Sequence, residues 1–371
     1  MRVIVIGAGL GGLGLAQRLC REGFDVEVYE RDLGVDARFQ GYRVGLGGPG
    51  LDGLRLCLPE RLHPLLDAVG GALAGTGRAV DEQLAELGTT PAFDEGELFD
   101  RHVLRHLLLD GLGDRVRFGK KLDRYVELSD GRVRAEFADG ATATGDLLVG
   151  ADGMGSTVRR QLLPAAEILD TGVSGVIGRT AMTDRFAALV PGWSTMVMGA
   201  DLQLFLGKMV FRRPPAAAGR EFGVALPDVA SYLRWVMIVP QDSRIDLRRE
   251  YAGQDGLAVV GELIRDWHPE LRALIEHGDP DNSTVGPIRY APPFGPWPPG
   301  PVTLLGDAAH PLPPGGLGAN LAFADAVLLA ETLAAEGDLR AYEDRIRTTA
   351  TEVFDHAMAS LPMFAHLRPG T

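Results

Sequence analysis

Cysteine is nearly missing from this chain: Cys20 and Cys57 are the only two, and neither belongs to a Cys-x-x-Cys pair. That excludes a disulfide framework and a cysteine metal site, and it fits a reducing cytoplasm. Lysine is limited to Lys120, Lys121 and Lys208 among 37 basic residues, and the net charge is −13. Nucleic acid is excluded as a partner, because sequence-independent binding to a duplex depends on cations that neutralise phosphates. No run of apolar residues approaches the roughly 18 needed for a membrane span. The start, Met1-Arg2, leads directly into Val3-Ile4-Val5-Ile6 without the longer apolar region of a signal peptide. The histidines show no defensible metal-ligand spacing, since His102 and His106 at i and i+4 do not by themselves make a zinc site. No metal is therefore expected.

Glycine, by contrast, is abundant at 49 residues, with 24 prolines. At 371 residues, 46% hydrophobic and 23% charged, the chain reads as a soluble globular protein of two closely packed domains. It opens with a βαβ unit: Val3 to Ile6, a glycine turn, a helix over Leu13 to Glu22, and a strand over Val26 to Glu30. Gly41 to Gly53 is glycine-rich and reads as loop, and Gly70 to Gly96 has no clear period. Strands near Val116 to Phe118, Arg124 to Leu128 and Val133 to Phe137, with turn signals at Asp130-Gly131 and Asp139-Gly140, form one expected antiparallel meander. From about Thr171 to Tyr251, alternating segments such as Trp235 to Pro240 predict a mainly β second domain. A proline-rich return over Ala291 to Pro301 precedes a buried strand, Val302 to Leu305, and then a long helix from Ala319; helix continues to about His366.

Gly7-x-Gly9-x-x-Gly12 sits between a strand and a helix. That spacing gives a tight turn, close backbone approach to a pyrophosphate, and close helix-sheet packing, with the helix N-terminus facing the phosphates. Leu10, inside the turn, is counted with its glycines among the cofactor-binding residues. Glu30, eighteen residues after Gly12, ends the second strand where a carboxylate accepts from ribose hydroxyls, and Arg31 follows it. An acid there repels a 2′-phosphate, so the resident dinucleotide is not NADP.

The segments Gly150-Ala151-Asp152-Gly153 and Gly306-Asp307-Ala308-Ala309-His310-Pro311, after the N-terminal glycines, resemble the further fingerprints of the class A flavoprotein monooxygenases, the family of para-hydroxybenzoate hydroxylase. The resemblance implies FAD as the cofactor, with Asp307 on a ribityl hydroxyl and Asp152 shaping the flavin and reductant sites. Arg101 resembles the family arginine near the pyrophosphate, and Arg43 is placed near the flavin or the reductant. Pro313-Pro314-Gly315-Gly316-Leu317-Gly318-Ala319-Asn320 matches the family's Pro-x-Gly-x-x-Gly-x-Asn turn. There a helix N-terminus with Gly318, Ala319 and Asn320 would stabilise the negative edge of reduced flavin. His310 is assigned to holding the turn and not to proton transfer.

The expected architecture is a Rossmann-type α/β FAD-binding domain over residues 1–75, 97–168 and 285–371, with a mainly β substrate domain over 76–96 and 169–284 and a C-terminal helical segment. The activity implied is hydroxylation of a small aromatic or polyketide-like substrate by O2, with NADPH or NADH as transient reductant and a flavin C4a-hydroperoxide as oxidant. No catalytic side chain is nominated. An epoxidase, a Baeyer-Villiger enzyme, an oxidase or a reductase on the same fold stays open, as does a non-catalytic FAD-binding redox sensor. A halogenase ranks lower, because Trp235-Val236-Met237-Ile238-Val239-Pro240 departs from the Trp-x-Trp-x-Ile-Pro signature of that group. The assembly is a monomer or homodimer.

Overall fold

The computed structural model of the chain describes residues 1–38, 41–73, 75–93, 96–200, 202–241, 243, 245–248, 250–312 and 315–360. Pro313 and Pro314 of the glycine-proline turn, and the helix expected beyond residue 360, lie outside the described residues.

A parallel five-stranded sheet carries the N-terminal βαβ unit, in the order Val302–Leu304, Leu147–Gly150, Arg2–Ile6, Asp25–Tyr29, Val116–Arg117. Two of its internal strands carry unbroken apolar runs, Val3 to Ile6 and Leu147 to Val149, because both faces are covered there, and Val3, Ile4, Val5, Leu148 and Val149 expose no surface. Helix Leu10–Arg21 packs on Gly318–Ala334 and on Arg101–Leu109, and Gly318–Ala334 packs in turn on Gly48–Cys57. Small residues let these helices close up: a Cβ at Gly14 would lie 3.1 Å from the Phe323 ring, and one at Gly53 would lie 3.0 Å from the Phe323 backbone.

Two expectations are corrected here. Val116–Arg117 does not begin the antiparallel meander but extends the parallel sheet beside Val28 and Tyr29; a two-residue edge has no alternation to read. The meander is Leu122–Glu127, Val133–Phe137 and Thr142–Gly145. Nor is Gly41 to Gly53 all loop. Arg43–Leu46 is a strand paired with Glu97–Asp100, and Gly48 begins a helix. Gly50 and Gly53 are demanded by tertiary contact, since a Cβ at Gly50 would fall 2.1 Å from Asn320 Oδ1 and one at Gly53 3.0 Å from the Phe323 backbone.

The second large sheet has eight strands, in the order Tyr251–Ala252, Thr284–Tyr290, Leu169–Ala181, Tyr232–Pro240, Gln203–Met209, Ser194–Met198, Gly75–Asp81, Glu86–Phe93. It is antiparallel except where Gly75–Asp81 runs alongside Ser194–Met198. Leu204, Leu206, Leu233, Trp235, Met237 and Val239 point into a core of their own, which also takes Leu257, Val260, Leu271 and Leu274. Those last four lie on helices Gly253–Leu263 and Pro269–Glu276, which the strand-dominated sequence reading of this region did not include. By alternation, Phe205, Gly207, Arg234 and Val236 lie on the opposite face.

That face meets the first sheet's domain through a buried junction. Tyr232 donates its hydroxyl to Asp100 Oδ2 at 2.7 Å, while Asp100 Oδ1 accepts from His102 N and Val103 N and so caps helix Arg101–Leu109. The Arg179 guanidinium lies over the Tyr42 and Tyr232 rings at 5.7 and 5.5 Å. Among the described residues, no helix is long and apolar enough to cross a membrane.

A Cβ at Gly178 would sit 2.0 Å from the Trp235 ring. Gly178→Ala is expected to lower stability by about 1–3 kcal/mol through overpacking, read as a reduced urea midpoint with an unchanged slope; an unaltered midpoint would show that the ring has room to retreat.

Candidate active site

The glycine turn shows three different constraints. Gly7 has φ +109°, and a Cβ there would lie 2.4 Å from Ala151 O. A Cβ at Gly12 would lie 2.1 Å from Gly7 O, whereas one at Gly9 would meet nothing within 4 Å. Two glycines are thus required by the fold, and the middle one borders open space at the start of helix Leu10–Arg21. Buried Leu10 anchors that start. Glu30, 5% exposed, accepts from Ala8 N at 2.8 Å and from Asp32 N at 2.9 Å, which places its carboxylate against the turn. Arg31 is exposed.

Sequence reasoning missed Arg105, whose guanidinium is buried behind the same turn and donates from Nε to Ala8 O at 3.1 Å and from Nη1 to Val35 O at 2.9 Å. The signal was available as a basic residue on the apolar stripe of helix Arg101–Leu109, between Leu104 and Leu108. Arg101 enters from the first residue of that helix. Its Nε is buried without a hydrogen-bond partner among the described residues. Burial pushes its pKa down, opposed by the Asp307 and then the Asp100 carboxylate. Asp307 itself is exposed, and a Cβ at Gly318 would lie 3.0 Å from its Oδ1. Arg101, Asp307 and the start of helix Gly318–Ala334 are therefore neighbours although far apart in sequence.

Two further buried groups hold this corner, and neither was nominated from sequence. Arg159 donates to Asp307 O at 3.2 Å, to Ala308 O at 3.0 Å and to Met154 O, locking the Asp152 loop to the Gly306-Asp307 turn. Asp325, an acid within an otherwise apolar stretch of helix, accepts from Gly306 N at 3.1 Å and contacts His310 Nε2 at 2.6 Å. Burial pulls the His310 pKa down, but Asp325 raises it more through charge and hydrogen bond, leaving it above the ordinary value. Asp152 Oδ2 accepts from Thr157 N at 2.6 Å and Val158 N at 3.3 Å, bracing the next helix, while its Oδ1 has no partner among the described residues.

Asn320 turns back to the protein. Its amide donates to Gly45 O at 3.0 Å and Gly316 O at 3.2 Å, and its Oδ1 accepts from Gly47 N at 3.1 Å. Gly315 is exposed, and Ala319 is half-buried in the first helical turn. Arg43 does not join the glycine turn: it crosses to the second sheet and donates to Lys208 O at 2.5 Å. Away from this corner, Asp36 Oδ1 lies 3.1 Å from His102 Nε2 and 3.0 Å from His106 Nε2, supplying the third polar group that the i, i+4 pair lacked in sequence.

Known proteins match the same segments. Residues 5–55 match the NAD(P)-binding Rossmann-like domain family, and residues 293–361 match the FAD binding domain family. The FAD-dependent urate hydroxylase of Klebsiella pneumoniae is 31% identical over 94% of this chain and 87% of its own. The dual O-methyltransferase/FAD-dependent monooxygenase elcB of Phaeosphaeria nodorum is 32% identical over 96% of this chain, which spans only 43% of that protein. A solved structure from Photorhabdus luminescens, a candidate FAD-containing monooxygenase, superposes with TM-score 0.83 at 30% identity and 97% coverage of both chains. Klebsiella pneumoniae HpxO complexed with FAD and uric acid superposes with TM-score 0.76 at 25% identity, covering 97% of this chain and 87% of its own. The chain belongs to the FAD-dependent monooxygenases, the family its own motifs resemble, and its cofactor is FAD.

The two kinds of glycine separate experimentally. Gly9→Val is expected to leave the FAD-free protein within about 0.5 kcal/mol of wild type while abolishing FAD retention. Gly12→Val should instead destabilise the FAD-free protein itself; equal loss of stability in both would contradict the open space at Gly9. His310 offers a pH test. Because its folded pKa is raised, its contribution is complete below the unfolded value of 6.5 and fades as pH rises through the folded one. The Tm deficit of His310→Asn should accordingly be larger at pH 6 than at pH 9, and a deficit growing with pH would reverse that assignment.

Proposed function

We propose that the protein is an NAD(P)H-dependent monooxygenase that inserts one oxygen atom of O2 into a small aromatic or polyketide-like ring. The observation carrying this reading is strand Arg43–Leu46. One of its ends is bonded through Gly45 and Gly47 to Asn320 at the FAD-side helix start, and the other reaches the second sheet through Arg43. A ring held between that strand and the face bearing Phe205 and Val236 would be beside the flavin and away from bulk water.

The residues present fit FAD. Open space at Gly9, the Glu30 carboxylate, the unpartnered Nε of Arg101 and the exposed carboxylate of Asp307 supply a pyrophosphate turn, a ribose acceptor, a phosphate cation and a ribityl acceptor. When bound, FAD supplies the redox chemistry: NAD(P)H and O2 are consumed, one oxygen atom enters the substrate and the other leaves as water. The chain's own share is binding, orientation and exclusion of water. First-turn amides of helix Gly318–Ala334 would stabilise negative charge on the cofactor edge. The Asn320 amide, engaged with the Gly45, Gly47 and Gly316 backbone, fixes the approach of that helix. Asp152 serves by holding the loop that Arg159 ties to Asp307.

The test is NADPH or NADH oxidation by the FAD-loaded enzyme with a panel of phenols and polyphenolic ketones under 18O2. Substrate-stimulated turnover with one labelled atom in the product is expected, and Arg101→Met should weaken FAD binding by about tenfold or more. Hydrogen peroxide with no labelled product across the panel would indicate an oxidase. No turnover at all, despite bound FAD, would indicate a redox sensor.

A further inference from the structure

On the second sheet's inward face, two guanidinium groups lie together without an acid. Arg234 is the cross-strand partner of Gly207, and a Cβ at Gly207 would collide with Arg43 Nη2 at 2.1 Å, so only glycine leaves room for Arg43 to reach this place. Both guanidiniums sit 5.9 Å from the centroid of the Phe205 ring. Arg43 spends one Nη on the Lys208 carbonyl. The Arg234 guanidinium makes no hydrogen bond or ion pair among the described residues; beside burial, Arg43 is influenced by the Arg234 charge and the Tyr232 phenol, and Arg234 by the phenols of Tyr232 and Tyr42.

The neighbouring row shows that this is not how the fold treats a structural arginine. Arg179, directly across the ladder from Arg234, is held by Asp279 at 2.8 Å through Nη2 and 2.9 Å through Nε. Burial pushes the Arg234 pKa down to about 10; burial and the adjacent Arg234 together push Arg43 down to about 9, so both stay charged at neutral pH. Enclosed cations without a counter-charge are costly, and such an arrangement is relieved when an anion arrives. A guanidinium also matches two oxygens at once, which an ammonium does not.

We propose that Arg43 and Arg234 form an anion subsite that takes a carboxylate or ionised enol of the organic substrate, with Phe205 against its ring, so that the enzyme selects acidic rings over their neutral counterparts. This rests on the reading above that the substrate lies on this face. It adds a charge requirement which that reading does not contain.

The experiment uses FAD-loaded protein and two matched probe pairs: 1-naphthoate with 1-naphthamide, and 2-hydroxy-1,4-naphthoquinone with 2-methoxy-1,4-naphthoquinone. Binding is read from the flavin absorption spectrum and from Tm. In at least one pair the acid should bind about tenfold more tightly than its neutral partner, and which pair shows it distinguishes carboxylate from enol. Arg234→Gln should erase that preference by weakening the acid alone, and Arg234→Lys should restore part of it. If Arg234→Gln does not fold, Arg234→Met, which keeps the apolar stem, carries the same comparison. Equal behaviour of acid and neutral partner in both pairs, absence of binding included, overturns the proposal, as does a preference that survives removal of the Arg234 charge. Protein that holds FAD and oxidises NAD(P)H with neutral rings, yet shows no acid preference, defeats this inference alone. Protein that neither holds FAD nor oxidises NAD(P)H defeats the monooxygenase reading.

Discussion

The buried carboxylate of Asp325 is the constraint on which the candidate cofactor corner depends. It receives the Gly306 amide and the His310 imidazole, so the turn bearing Asp307 is pinned to the helix that begins at Gly318. With that turn fixed, its Asp307 and Ala308 carbonyls become acceptors for Arg159, which holds the Asp152 loop, and Ala151 of that loop closes against Gly7. A chain of backbone contacts thus runs from the last strand of the parallel sheet to the first. Both donors converge on one oxygen, Oδ2, and the imidazole beside it supplies a partner for the charge, which helps a buried acid to be tolerated inside an apolar helix face.

Much of this was legible in sequence, for identifiable reasons. The unbroken apolar run Val3 to Ile6 and the three glycines are local signals, and they correctly gave a parallel sheet and a dinucleotide turn. The Gly306-Asp307 and Gly315 to Asn320 segments were readable because their spacing resembles a known family. What escaped were groups whose meaning is wholly tertiary. Arg105, Arg159 and Asp325 look like ordinary helix residues until the backbone atoms they serve, remote in the chain, are brought beside them. Arg43 was expected near the flavin or the reductant, and what the sequence did not show is that its side chain reaches across to the Lys208 carbonyl of the second sheet. The glycines from Gly41 to Gly53 read as loop, because composition alone does not distinguish freedom of backbone from a demand for closeness.

Asp100 links the two halves in a way neither half shows alone. One of its oxygens caps the helix that begins with Arg101, and the other accepts from Tyr232 on the second sheet. The start of the helix that carries Arg101 is therefore tied to a phenol on the second sheet. The Arg179 guanidinium stacked over Tyr42 and Tyr232 stiffens the same junction.

The path of the backbone between the sheets has a consequence for how the molecule is made. The chain leaves the side of the parallel sheet after Ala72 to reach Gly75, returns at Glu97, leaves again for Leu169, and comes back from Tyr290 to Val302. Neither layer can be completed before the other has been substantially translated, and strand Leu147–Gly150, paired on one side with Arg2–Ile6, waits for its other partner, Val302–Leu304, until most of the polypeptide exists. Such connectivity implies slow acquisition of native order dominated by long-range closure, so a nascent chain would depend on shielding of its apolar strands until the C-terminal third emerges.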